Sequence, residues 1–277
     1  LAISLGGDWT VTVGAAFTHG TGSVTFNGSA DQLITTGATG GTGVDNNHDF
    51  YDVAVVNTGG AGSNRVTLAD GHELIARSSV TIDSGVLRAG ETATSSNLIV
   101  VWRDWDNNAT GNTGFVPQQG AVAFVSTQDS SILGGATATD GITEFYDLYA
   151  IHADFAADHP GIPTYSGAQK TIRFDDTVTP VVRILSGGTM RIRGSIDPLD
   201  ERSVLASATP GNRWTLDNQS AATHVIELVE LYDGQIEDGV GGTTIIADKS
   251  RNGGNNDSGE GDPQWLFEGS LLRWTGA

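Results

Sequence analysis

Four groups of side chains in this sequence have types and spacings that could do chemistry. The first is rich in acids and amides: Asp104-Trp105-Asp106-Asn107-Asn108, Asp45-Asn46-Asn47-His48-Asp49 and the run from Asn252 to Asp262. Such clusters offer carboxylate and carbonyl oxygens, which calcium takes six to eight at a time. None has the twelve-residue EF-hand spacing, and there is no glycine-rich nonapeptide array. Asn, Asp and Gly also build turns without any metal, because they tolerate left-handed backbone. The expectation is therefore no cofactor, with Ca2+ kept as the alternative.

The second group is His152, Asp154, Asp158 and His159, a pair of imidazoles and a pair of carboxylates close in sequence. That ligand mix suits zinc or manganese better than calcium. On a strand His152 and Asp154 share a face, and a turn could return Asp158-His159 toward them. The competing reading is a polar surface loop leading into Pro160. The other histidines (19, 48, 72 and 224) are scattered, and no HExxH occurs.

The third group is Arg173, Asp175, Asp176, Arg183, Arg191 and Arg193. Stacked strands could gather them into one charged row able to handle uronate sugars. Arg191-Ile192-Arg193 alternates, which places both arginines outside. A ladder of cross-strand ion pairs, each worth about 0.2–1 kcal/mol, is the favoured reading.

The fourth group is aromatic. Trp9 and Trp105, Phe26 and Phe124, and Phe50 and Phe145 occur at matching intervals, with Trp214 a candidate third member. Recurrence at one place in a repeat argues for inward packing. Trp102, Trp265 and Trp274 fall outside the pattern and are expected to be exposed, free to meet a neighbouring chain or a glycan. No GxSxG elbow, GxxxxGK[ST] loop or helix-opening GxGxxG is present. No catalytic residue is assigned, and the chain is not expected to be an enzyme.

Composition narrows the setting. The 277 residues hold 14 Lys+Arg against 33 Asp+Glu, a net charge of −19, which repels nucleic-acid phosphates and anionic lipid. Lys170 and Lys249 are the only lysines, and cysteine is absent, so stability must come from burial and strand ladders. No stretch approaches the roughly 18 apolar residues of a membrane span, and no signal peptide is visible. Leu1-Ala2-Ile3-Ser4-Leu5 begins with alternation already under way, as in a processed chain or one cut from something longer.

The elements that would position these groups are strands. Val, Ile, Thr, Phe and Trp come in short runs between Gly, Asn, Asp and Ser clusters. The pattern predicts strands over Trp9–Val13, Val24–Phe26, Phe50–Val56, Arg65–Leu68, Val80–Ile82, Leu98–Trp102 and Val122–Phe124. Further strands are predicted over Phe145–Ile151, Thr171–Phe174, Val181–Ile184, Met190–Ile192, Trp214–Leu216, Val225–Leu231 and Thr244–Ala247. Leu148 to His159 could put Leu148, Ile151 and Phe155 on one helical face, but reads as a strand entering a loop, with a short helical turn as the lesser alternative.

Internal repetition is the strongest organising signal. Asp8-Trp9 returns as Asp104-Trp105, Ser23-Val24-Thr25-Phe26 as Ala121-Val122-Ala123-Phe124, and Phe50-Tyr51-Asp52-Val53 as Phe145-Tyr146-Asp147-Leu148. The offsets are 96, 98 and 95 residues. A weaker third copy runs through Trp214-Thr215-Leu216 and Val229-Glu230-Leu231-Tyr232-Asp233. Units this small cannot bury their apolar faces alone and must stack. The expected architecture is all-β: an elongated right-handed parallel β-helix (β-solenoid) with essentially no α-helix. At roughly 20 to 25 residues per coil the chain would make about a dozen coils, a rod of roughly 55 Å. Residues 1–277 are taken as one solenoid. Its repeats cover about 1–97 and 98–194, followed by a closing module over about 195–268 and a tail over 269–277.

Gly7-Asp8-Trp9-Thr10, Gly20-Thr21-Gly22-Ser23-Val24-Thr25-Phe26-Asn27-Gly28 and Phe50-Tyr51-Asp52-Val53 resemble repeats of large bacterial adhesin-like and autotransporter-like surface proteins. Pro210-Gly211-Asn212-Arg213-Trp214-Thr215-Leu216, Gly241–Ile246 and Gly253-Gly254-Asn255-Asn256 before Trp265-Leu266-Phe267 are similar to a closing module of the same proteins. The resemblance implies a β-helix in a secreted or surface-attached protein and carries no catalytic motif. Trp102-Arg103 stands where the pattern has glycines, and Phe155–Gly167 looks inserted.

The function expected is structural or adhesive: a building block or stalk of an extracellular filament, sheath or adhesin at the cell surface. Its partners would be copies of itself or adjacent segments of a longer surface protein, with neither nucleic acid nor membrane insertion. Leu1–Leu5 and Ser270–Trp274 are the segments expected to join neighbours. One alternative is a glycan- or protein-binding fibre module using Trp102; a second is a β-helical polysaccharide lyase or hydrolase using Arg183.

Overall fold

A computed structural model describes residues 2–12, 15–38, 48–110, 114–135, 141–167, 169–196, 202–237, 243–257 and 264–269. Within them every strand pairing is parallel, and the strands fall into three sheets: a first of ten, a second of five, and a third of ten that includes Glu73–Ala76, Leu98–Val101, Ala121–Phe124, Thr143–Ile151 and Val182–Arg193. The first sheet takes Ile3–Leu5, Ser23–Phe26, Asp52–Val56, Val80–Ser84, Trp105–Asn107, Ser130–Leu133, Thr171–Phe174, Ser203–Ser207, Val229–Tyr232 and Arg251–Gly254 in sequence order. The chain leaves this sheet, passes through one or both of the others, and returns one strand further along.

Register makes the circuit explicit. Ile3, Val24, Val53, Val80, Trp105, Ile132 and Phe174 are successive partners across the first sheet. One circuit therefore takes from 21 residues (Ile3 to Val24) to 42 (Ile132 to Phe174). Among the described residues the circuits are fewer and larger than the dozen expected at roughly 20 to 25 residues per coil, because loops such as 153–167 swell individual ones. Ten strands at about 4.8 Å spacing give a stack of about 43 Å.

The core follows from this register. Residues at alternate positions point inward, and Val24, Phe26, Val53, Val55, Val80, Ile82 and Trp105 are all buried. On the third sheet Leu74, Ile99, Val122, Leu148 and Met190 form the facing column. Both columns belong to one continuous apolar cluster, so each circuit covers the apolar interior of the one before.

Corners are closed by buried amides. Asn57 Nδ2 donates to the Ala30 carbonyl at 2.7 Å, Asn97 Nδ2 to Ala69 at 2.9 Å, Asn218 Nδ2 to Thr243 at 3.0 Å and Asn256 Nδ2 to Leu231 at 2.6 Å. Each bond joins one corner to the adjacent circuit and satisfies a carbonyl that the ladders leave over. At Gly85, φ is +84° and an added Cβ would lie 2.8 Å from the Asn64 carbonyl oxygen, so this turn between Val80–Ser84 and Val86–Arg88 requires glycine.

Three expectations are corrected. Val181–Ile184 and Met190–Ile192 form one bent strand, Val182–Arg193, whose register against Thr143–Ile151 shifts between Phe145 and Asp147. Val225–Leu231 breaks into Val225–Glu227 and Val229–Tyr232 at Leu228, which turns the corner with φ +56°. After His152 the chain adopts the short helical alternative, a 3-10 helix over Ala153–Asp158; no α-helix occurs among the described residues.

The repeat landmarks do not occupy equivalent walls. Trp9 lies in the five-stranded sheet but Trp105 in the first; Ser23–Phe26 lies in the first but Ala121–Phe124 in the third. Four circuits from Val24 reach Ile132, so the 95-to-98-residue offset stops one wall short of four circuits. What recurs is an aromatic triad. Trp9, Phe17 and Phe50 have centroids 4.7, 5.2 and 5.8 Å apart, and Trp105, Phe115 and Phe145 repeat this at 4.7, 5.7 and 6.0 Å. Trp214 forms a separate cluster, stacked on Phe174 at 3.9 Å and tilted against Trp265 at 6.0 Å.

Candidate binding groove

The outer face of the third sheet carries a surface groove of about 570 Å³. Its floor is a row of four in-register residues on adjacent strands: Glu73, Leu98, Ala121 and Asp147. One wall is made by stacked corners, with Asp70 to His72, Thr92, Thr94 to Asn97, and Gln119. The other comprises Gly161 and Ile162, from the segment whose sequence looks inserted. That segment also covers part of the sheet, because Phe155 and Ile162 pack on Ala123, Tyr149 and Ile151.

The corner wall is held by its own bonds. Asp70 Oδ1 accepts from Ser95 Oγ at 2.6 Å and Glu91 N–H at 2.9 Å, and these two bonds hold its carboxyl below the usual range. Asn97 Oδ1 accepts from Gly71 N–H at 2.9 Å while its amide binds Ala69. Across the floor, Asp147 Oδ1 accepts from Thr189 N–H and Oγ1 at 2.8 and 2.6 Å, and Oδ2 accepts from the Tyr149 hydroxyl at 2.7 Å. Burial first, and then this bond, push the Tyr149 phenol well above its ordinary pKa.

The sequence candidates are dispersed. Arg183 bridges its in-register neighbours Glu144 and Asp217 at 2.8 and 2.5 Å, and Arg193 reaches Glu227 at 2.5 Å and Asp158 at 2.8 Å. Arg191 lies over Tyr149 at 5.5 Å. Arg173 belongs to the first sheet, 3.6 Å from Asp129; Asp175 binds Gly134 N–H and Asp176 binds Asn212. Arg183 and Arg193 thus make cross-strand ion pairs on the third sheet, and Arg173, Asp175, Asp176 and Arg191 are not part of that ladder.

The histidine–aspartate group is divided between partners. Asp154 lies 2.9 Å from His152 Nδ1 and accepts from Ser195 Oγ and Ile196 N–H, both at 2.9 Å. Asp158 and His159 both meet the Arg193 guanidinium, at 2.8 and 3.3 Å. A fixed cation thus occupies the centre of that half. Among the described residues no three or more His, Cys, Asp or Glu are grouped to hold a metal ion. In the acidic cluster Asn107 is buried, its amide bonding the Ile142 carbonyl at 3.2 Å, and Asp104 Oδ1 accepts from Ser131 N–H at 2.9 Å. Residues 45–47 and 258–262 lie outside the described residues, as do Trp274 and Ser270.

Of the tryptophans expected to be exposed, Trp265 is fully buried. Trp102 is half-buried beneath Arg77, whose guanidinium is 4.4 Å from its ring, and packs on Ala38, Ile75 and Val100. Sequence reasoning missed the groove because its parts come from four circuits. The local signals were the Asp70-Gly71 turn and the hydroxyl-rich Thr92–Ser96. It also missed Lys170, a fully buried amine donating to Ser126 O, Ser130 Oγ and Gln128 O at 2.7, 2.9 and 3.1 Å.

Comparison with family models, curated proteins and solved structures finds no match to this chain. The adhesin-like resemblance therefore rests on the motifs quoted above.

Proposed function

We propose that the chain is a right-handed parallel β-helix serving as a structural or adhesive building block of an extracellular, cell-surface filament, sheath or adhesin, and that it performs no catalysis. The observation carrying this reading is the continuous parallel pairing of the first sheet, ten strands deep. Parallel crossover connections within a sheet are nearly always right-handed, which supports the hand. Among the described residues, Ile3–Leu5 and Arg251–Gly254 each have a strand partner on one side only. Such edges are templates for another strand, fitting partners that are copies of this chain or adjacent segments of a longer surface protein.

Sedimentation velocity and negative-stain microscopy over rising concentration test the proposal. The expected result is rods that lengthen end to end in units of one chain, abolished by Ser4→Pro, which removes a donor from the edge strand Ile3–Leu5. A strictly monomeric species at high concentration contradicts it.

A further inference from the structure

We propose that the groove on the third sheet binds a neutral oligosaccharide chain. Its volume of about 570 Å³ falls in the size class of small-molecule sites, roughly 300–1,000 Å³. The floor presents one outward residue per strand from Glu73 through Leu98 and Ala121 to Asp147. Strands are spaced by about 4.8 Å, close to the length of one pyranose unit. A sugar chain laid across them would meet a fresh strand at each residue.

The chemistry of the lining matches such a ligand. Leu98, Ala121 and Ile162 offer apolar surface to the C–H faces of sugar rings, while Gln119, Thr94 and Ser96 bring amide and hydroxyl groups along the rim. The rim is preorganised, since the Asp70–Ser95 and Asn97–Gly71 bonds fix the corners before any ligand arrives. Charge selects against acidic sugars: Asp70, Glu73 and Asp147 contribute to the lining and no lysine or arginine does. The net charge of −19 reinforces that repulsion. This site is independent of end-to-end assembly, so either proposal can fail without the other.

Isothermal titration of the full chain with neutral oligosaccharides of gluco-, xylo-, manno- and galacto- backbone tests the inference. An oligogalacturonate and calcium chloride alone serve as comparisons. The expected result is saturable binding of at least one neutral backbone, with the uronate and calcium at least tenfold weaker. Ala121→Trp, which fills the floor, should weaken binding at least tenfold while leaving the melting temperature close to that of the parent. Should Ala121→Trp misfold, Ser96→Trp at the exposed rim provides the same block. No binding across the neutral panel, parental affinity in the blocked variant, or tighter binding of uronate or calcium would overturn the proposal.

Discussion

Two buried titratable side chains make stability depend on pH in opposite parts of the scale. His224 is buried, with Nδ1 accepting from Met190 N–H at 3.0 Å and Nε2 3.1 Å from Asn218 Oδ1, a network that suits the neutral ring. Burial lowers its pKa from 6.5 to about 4. The unfolded chain therefore binds more protons than the native one between those values. The stability this neutral ring supports is present above pH 6.5 and is lost as pH falls toward 4. Urea midpoints measured from pH 7 to pH 4 should drop, and the drop should shrink in His224→Asn; an equal drop in both contradicts the assignment. Lys170 behaves in the other range, with burial lowering its pKa from 10.5 to about 7. Again the unfolded chain holds the extra proton, so the urea midpoint should rise from pH 7 toward pH 10. Lys170→Met should flatten that rise. Neither residue was conspicuous in the sequence, because a lone His or Lys reveals nothing of its burial until distant circuits close over it.

At the scale of elements, strand identity was legible and strand grouping was not. Arg65–Leu68 and Thr171–Phe174 match their predicted bounds because Val66, Leu68, Ile172 and Phe174 alternate with polar neighbours. Gly234–Glu237 and Arg251–Gly254 escaped because their sequences carry little alternation; neighbouring ladders decide them. The repeat was legible as an aromatic rhythm, yet its wall assignment depends on loop lengths that sequence spacing cannot fix. The ladder Glu144–Arg183–Asp217 gives the test at this scale. Arg183→Ala removes the charged partner of the buried Asp217 carboxylate, leaving it the Gln219 Nε2 donor at 2.9 Å, and should cost about 2–4 kcal/mol, somewhat under the range for breaking a fully buried pair. Chemical denaturation reads this directly, and a loss under about 0.5 kcal/mol, ordinary for an exposed pair, would deny the ladder a structural role. Trp105→Ala, which empties the centre of the second triad, should cost about 3–5 kcal/mol, while the same change at half-buried Trp9 should cost less.

For the whole molecule, the parallel all-β class was readable because short glycine-punctuated strands with a recurring rhythm have few other ways to bury their faces. The groove was not, since its floor crosses Glu73, Leu98, Ala121 and Asp147, which only stacking brings side by side. Stacking in register is thus the claim on which both the structural role and the groove depend. The absence of cysteine allows nitroxide labels to be placed without background. Thr25, Thr81, Asp106 and Leu133 lie on one row of the first sheet, with Ala54 between the first two. Spin–spin distances from Thr25 to Thr81, Asp106 and Leu133 should rise evenly, to about 10, 14 and 19 Å, one strand spacing at a time. Distances that fail to rise in that order, as antiparallel pairing or a shifted register would give, contradict the account.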